Sequence, residues 1–276
     1  MPPRKTRNSK QDIAQSSAMD IKALNELALE FKNLHISGKP IVLANVYDVA
    51  TTKAVAEIVV VKAVATTSFA IAAVNGIRDD DLTQQQNLAA VDKIGAVAGR
   101  ANLMFTVDIQ DGYDDIPTTI KAIIDVGAVG CNIEDTDISK GVLRSKQDAV
   151  GRIRTVLRCA TEAGVPNFVV NARTDTLGYN GDIAEAIERA QAFITAGATT
   201  AFVWGGAQGR GLRTEEIALI ASSLQGRLSV MTAISPDMLD ASELGKLGVA
   251  RVSFGPAGYI AAMKGFTEVV SRMLST

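Results

Sequence analysis

The chain has 276 residues, 47% of them hydrophobic, and a formal net charge of −2. That length and apolar content suit one large globular domain better than two small ones. The near-neutral charge and the lack of any RNA- or DNA-binding signature exclude nucleic acid as a partner, and no apolar run reaches the ~18–20 residues that a membrane crossing needs.

Residues 1–18 hold Arg4, Lys5, Arg7 and Lys10 and almost nothing apolar, which predicts a disordered basic tail. The tail lacks both the amphipathic face of a transit peptide and the apolar core of a secretory signal. A cytoplasmic location is therefore expected. Residues 19–276 form the single domain. Its first segment, 19–36, spaces its apolar residues as a helix does and should cover the side or bottom of the fold.

Strand and helix patterns then alternate. IVLANV (41–46) reads as strand one, with Asp48 placed to cap the helix VATTKAVAEI. KAVATTS (62–68) is strand two, followed by a long loop through Asp79 and a helix over about 82–98. LMFTVDI is strand three, and its helix starts near Pro117, a residue favoured in a first helical turn. AVGCNIE is strand four, with a helix over about 146–163 after a polar loop. NFVVNART (167–174) is strand five, and DIAEAIERAQAFITAG is a helix closed by glycine. TTAFVWG with TEEIALIASSL, RLSVMTA with SPDMLDASELGKLG, and VARVSFG with a long helix from Pro256 to Met273 complete the series. Eight such units predict a (β/α)8 barrel, with a doubly wound open sheet as the alternative.

Asp79, Asp108 and Glu134 fall just past predicted strands. In a parallel barrel those strand ends collect at one mouth, so three carboxylates from distant segments meet in one pocket. Hard oxygen ligands without His or Cys suit Mg²⁺, or Mn²⁺, better than zinc. Arg173 ends strand five, and Thr67 and Ser68 follow strand two; guanidinium and hydroxyl groups together make a cradle for a carboxylate. An ion pair of Arg173 with Asp175 across the mouth is the plainer role for that arginine. A metal, an arginine and hydroxyls describe a site for a small 2-oxo or 2-hydroxy acid.

Other chemistries are narrowed. His35 is the only histidine and precedes the first strand, which removes Ser–His–Asp and Cys–His systems. No strand centre carries the lysine that imine chemistry needs. Cys131 and Cys159 read as reduced core thiols. GGAQGRG (205–211) lacks the GK[ST] of a phosphate loop. FGPAGY (254–259) is either a phosphate-binding helix start or a tight turn.

Taken in order, TTSFAIAAVNGIRDDD, TVDIQDGYDD, GCNIEDTD, NARTDTLG and GVARVSFGPA resemble the isocitrate lyase/phosphoenolpyruvate mutase superfamily from about residue 40 onward. The resemblance implies a (β/α)8 barrel, with a last helix often exchanged within a homodimer or homotetramer. It also implies Mg²⁺-dependent making or breaking of C–C or P–C bonds through an enolate. By position, Asp108 matches the acid nearest the metal, and Asp79 and Glu134 match acids that hold it largely through waters. Arg173 matches the substrate-binding arginine, and Thr67, Ser68 and Phe69 match the loop that receives the substrate carboxylate. Asn45, Tyr47 and Asp48 sit where similar proteins place further pocket residues.

Four departures stand out. Gln110 replaces a residue that is acidic in many members near the metal, which implies a weaker grip on the ion or a shifted water network. The loop DTDISKGVLRSKQD has no cysteine, whereas isocitrate and methylisocitrate lyases carry KKCG or KRCG there. Lys140 falls near a catalytic loop lysine of the mutases, without the Asn-Ser that accompanies it, and Trp204 stands where mutases have histidine. The implied activity is a Mg²⁺-dependent C–C lyase acting on a small carboxylate. P–C chemistry and a non-catalytic carboxylate-binding barrel are the alternatives.

Overall fold

The computed structural model describes residues 20–206, 210–232 and 239–275, so the tail predicted over residues 1–18 lies outside the described residues. Eight parallel strands close into a barrel: β1 (Ile41–Val46), β2 (Ala63–Thr66), β3 (Met104–Asp108), β4 (Gly130–Glu134), β7 (Val169–Thr174), β8 (Thr200–Val203), β9 (Leu228–Met231) and β10 (Arg251–Ser253). Closure is made by β1 against β10, with Ile41 paired to Arg251 and Leu43 to Ser253. The remaining pair, β5 (Thr136–Asp137) and β6 (Val142–Leu143), is an antiparallel hairpin within the loop that follows β4.

Among the described residues, ten helices surround the barrel: α1 (Ile21–Asn33), α2 (Val49–Ala56), α3 (Ser68–Val74), α4 (Gln84–Arg100), α5 (Ile116–Asp125), α6 (Lys146–Glu162), α7 (Ile183–Thr195), α8 (Thr214–Ser223), α9 (Ala241–Lys246) and α10 (Ala257–Leu274). Their starts are set by local chemistry. Asp48 accepts from the Thr51 N–H at 2.7 Å, and the Thr51 hydroxyl accepts in return from the Asp48 N–H. Thr83 and Gln86 form the same reciprocal cap at α4. Pro117 stands in the first turn of α5, where a missing N–H costs nothing.

The core lies between strands and helices. Phe105, Phe168, Phe193, Ile94 and Ile120 are each at most 2% exposed. Side chains of that size contribute about 1.5–3 kcal/mol each on full burial. Cys131 in β4 and Cys159 in α6 are buried free thiols.

One departure from the expected pattern bears on the site. Strand two ends at Thr66, because Thr67 takes an extended conformation and caps α3, a helix inside what reads in sequence as a long loop. The last helix starts at Ala257 and none of its residues is buried.

Candidate active site

The carboxyl ends of the strands open into a cavity of about 280 Å³. That volume suits a small metabolite rather than a drug-sized ligand, which typically needs ~300–1,000 Å³. Asn45, Thr67, Ser68, Phe69, Asp79, Asp108 and Arg173 line it, as expected from the sequence.

Asp108 ends β3, and its carboxylate is held on both oxygens. The Ser68 N–H donates to Oδ2 at 3.0 Å, and the Asn132 amide donates to Oδ1 at 3.2 Å. Its own N–H donates to the Thr66 hydroxyl at 2.8 Å, and its carbonyl accepts from Asn87 at 2.9 Å. Behind Asn132, the Asn171 amide donates to Asn132 Oδ1, and the Thr200 hydroxyl donates to Asn171 Oδ1. A polar chain therefore crosses the barrel interior from β8 to β3 and fixes the rotamer of Asp108.

Asp79 opens a short 3-10 turn after α3. Burial, followed by the negative charge of Asp108, pushes its carboxyl up to about 6. Gln110 steadies it: the amide Nε2 donates to the Asp79 carbonyl at 2.8 Å and to Oδ1 at 3.1 Å. Gln110 is 3% exposed and holds φ at +51°, in the left-handed region that disfavours side chains. Its amide thus acts as a donor to an acid.

Arg173 is clamped. Nε donates to Asp175 at 2.6 Å, Nη1 pairs with Glu134 at 3.1 Å, and the guanidinium carbon lies 4.9 Å from the Trp204 ring centroid. The ion pair with Asp175 and the position on the cavity wall coexist. Nη2 has no hydrogen-bond partner among the described residues, which leaves that end of the fork for a ligand.

Several expectations land elsewhere. Glu134 does not line the cavity; it is spent on Arg173, and burial pushes its carboxyl up against that pull. Lys140 is not in the cavity either. It sits at the tip of the β5–β6 hairpin, with a 72% exposed side chain bonded to Asp137 at 2.8 Å. Tyr47 packs edge-on against Tyr259 and lies outside the lining, while Asp48 is consumed as a helix cap. His35 donates from Nδ1 to the Phe31 carbonyl at 2.8 Å, remote from the mouth. Lining residues absent from the sequence-based site include Thr106, Asn132, Asn171, Phe202 and Arg251.

The residues fit a hard cation held mainly through water. Among the described residues no three His, Cys, Asp or Glu side chains gather into a protein-only cage. Mg²⁺ commonly keeps several waters and takes one or two carboxylates. Asp79 and Asp108 supply those. Burial, and then the neighbouring Asp108 carboxylate, raise the Asp79 pKa, and a bound cation would oppose both causes.

Residues 31–274 match the family described as phosphoenolpyruvate phosphomutase. An uncharacterized protein of Mycobacterium tuberculosis is 31% identical over 240 residues, 85% of each chain. The 2-methylisocitrate lyase of Escherichia coli is 37% identical over 112 residues, 37% of this chain and 36% of that enzyme. Among solved structures, a Burkholderia cenocepacia protein provisionally named a phosphonomutase aligns with a TM-score of 0.79 at 32% identity, over 90% of this chain and 99% of its own.

Proposed function

The chain belongs to the phosphoenolpyruvate phosphomutase family, within the isocitrate lyase/phosphoenolpyruvate mutase superfamily, and we propose that it is a Mg²⁺-dependent lyase. It cleaves a C–C bond in a small 2-oxo or 2-hydroxy carboxylate through an enolate. One observation carries this reading: the Asp79 and Asp108 carboxylates and the Arg173 guanidinium share a single small cavity at the barrel mouth. The naming of the Escherichia coli relative as a lyase supports it.

Asp108 would hold the ion most directly, with Asp79 holding its waters. When bound, the ion supplies the positive charge that stabilises an enolate oxygen. The protein groups do the rest. Arg173 offers Nη2 to the substrate carboxylate, and the bonds from Asp175 and Glu134 keep its plane fixed before substrate arrives. Phe202 and Trp204 wall that end and strengthen the contact by excluding water. Thr67 and Ser68 line the other side, where hydroxyls complete the cradle. Lys140 would act only if the hairpin folded over the mouth and its ammonium exchanged Asp137 for the substrate.

The test combines binding with turnover. Calorimetry should detect Mg²⁺ binding that Asp108→Ala removes with circular dichroism unchanged. Oxaloacetate should be consumed in Mg²⁺ and left intact in excess EDTA. Turnover of phosphonopyruvate with none of oxaloacetate or other 2-oxo acids would transfer the proposal to P–C chemistry. Metal and carboxylate binding with no turnover of either would leave a non-catalytic barrel.

A further inference from the structure

Arg251 is the first residue of β10 and is 2% exposed. It lines the same cavity as Arg173, yet its Nε and Nη1 have no hydrogen-bond partner among the described residues. Burial lowers its pKa only to about 10, so the group stays cationic at neutral pH. Two buried hydroxyls are in the same condition: Thr106 Oγ1 and Ser229 Oγ also have no partner among the described residues. Ser229 is paired in register with Arg251 on β9, and Thr106 lines the cavity. Gly130, the register partner of Thr106, leaves no side chain beside that hydroxyl. A Cβ there would stand 3.3 Å from Thr106 Oγ1 and 2.6 Å from the Val169 carbonyl oxygen.

These groups lie below the mouth. Arg173 is the fifth residue of β7, and Arg173, Phe202, Ser229 and Arg251 occupy successive register positions across β7, β8, β9 and β10. Three strand spacings and the usual barrel tilt place Arg251 roughly 8 Å deeper than Arg173. An unpaired buried guanidinium destabilises a fold, and replacement by an apolar side chain usually costs nothing. The position is therefore costly to keep without a ligand.

We propose that Arg251, with Thr106 and Ser229, forms an inner anion seat on the cavity floor that takes the second carboxylate of a dicarboxylate substrate. The first carboxylate and the 2-oxygen stay at the mouth beside Arg173 and Asp108, so the seat rests on the carboxylate-lyase reading above. It selects dicarboxylates over monocarboxylates of the same headgroup. Two other roles for Arg251 predict otherwise: a guanidinium solvated by buried water, or a counter-charge to Asp108, would not distinguish the two kinds of acid.

Racemic lactate and racemic malate share the 2-hydroxy carboxylate and differ in the distal carboxylate. Calorimetry in Mg²⁺ should show malate binding the wild type at least about tenfold more tightly, the effect of one charged hydrogen-bonded contact. Arg251→Gln should abolish that preference while lactate affinity stays within about twofold. Arg251→Met is a second variant that keeps volume and removes the unpaired charge. It should fold, melt at a higher temperature than the ligand-free wild type, and show the same loss of preference. Malate binding the wild type no better than lactate would overturn the seat, without need of either variant. Equal weakening of both acids by Arg251→Gln would overturn it as well. Failure of lactate itself to bind the wild type would instead overturn the carboxylate site on which the seat depends.

Discussion

Gln110 is the residue through which the acid pair can be perturbed most cleanly. Its amide donates to the Asp79 carbonyl at 2.8 Å and to Asp79 Oδ1 at 3.1 Å, from a side chain 3% exposed. Gln110→Glu removes both donors and sets a second carboxylate against the first. Hydrogen bonds to a charged acceptor contribute about 1.5–3 kcal/mol. Two unit charges at that separation repel by about 5 kcal/mol at an effective dielectric of about 20, less whatever rotation relieves. We expect Gln110→Glu to lower the unfolding free energy of the metal-free protein by about 3–5 kcal/mol at pH 8. Gln110→Ala, which loses the donors without adding charge, should lose about 1.5–3 kcal/mol. At pH 5 the new carboxyl and Asp79 share a proton, and part of the loss returns. The added charge should also tighten Mg²⁺, so saturating metal recovers stability in the glutamate variant more than in the wild type. Urea denaturation in EDTA and in Mg²⁺ at both pH values reads all of this. A glutamate variant as stable as the wild type in EDTA at pH 8 would refute the donor role of Gln110.

Asp79 predicts a pH dependence with a definite sign. Its folded pKa is raised from 3.8 to about 6, so its contribution to stability is fully present below the unfolded value and lost as pH rises through about 6. Mg²⁺ affinity runs the opposite way, weakening up to about tenfold per pH unit below about 6 because the ion displaces a proton; affinity that stays flat from pH 8 to 5 would contradict it. Arg173→Lys should lower kcat/KM on the substrate by about 100-fold or more, since an ammonium cannot keep Asp175, Glu134 and a substrate carboxylate together. Wild-type kinetics in a folded variant would disprove that grip. Isocitrate and 2-methylisocitrate should not be split efficiently, because the loop after β4 has no cysteine and general acid–base catalysis is worth ~100- to 10,000-fold. Efficient release of glyoxylate or pyruvate from them would sink this idea. The exposed apolar residues of α10, Phe266 at 67% and Leu274 at 81% among them, should bury against a second copy of the chain. Light scattering should show a dimer or tetramer that Phe266→Glu weakens, and a wild-type monomer at all concentrations would exclude it.

Much of the barrel was legible because each strand–helix unit carries its own punctuation. The apolar run IVLANV coincides with β1, and the capping residue Asp48 marks the start of α2. The other strands fall within their predicted segments and are shorter. What was not legible is α3. SFAIAAV is short and has no capping hydrogen bond from Thr67. Its place is secured instead by tertiary contacts, including the Ser68 N–H bond to Asp108 across 40 residues of sequence. A long-range bond of that kind leaves no local pattern to read.

The site was half legible for a related reason. Asp79, Asp108 and Arg173 end strands or follow them, and the rule that strand ends share one mouth brought them together before any coordinates. The inner residues obey a different signal, the period of two along each strand. Thr106 and Asp108, Asn132 and Glu134, Asn171 and Arg173, Arg251 and Ser253 are polar residues two apart in otherwise apolar runs. Each such pair sets one functional group at the mouth and another one layer below it, pointing the same way. In a barrel filled only by packing, the lower member would be Val, Ile or Leu. Here Asn132 and Asn171 are tied into the chain that orients Asp108. Arg251 is not tied to anything within hydrogen-bond reach at Nε or Nη1. The same alternation that explains the asparagines therefore isolates the arginine, and that contrast separates a residue supporting the site from one that awaits a ligand.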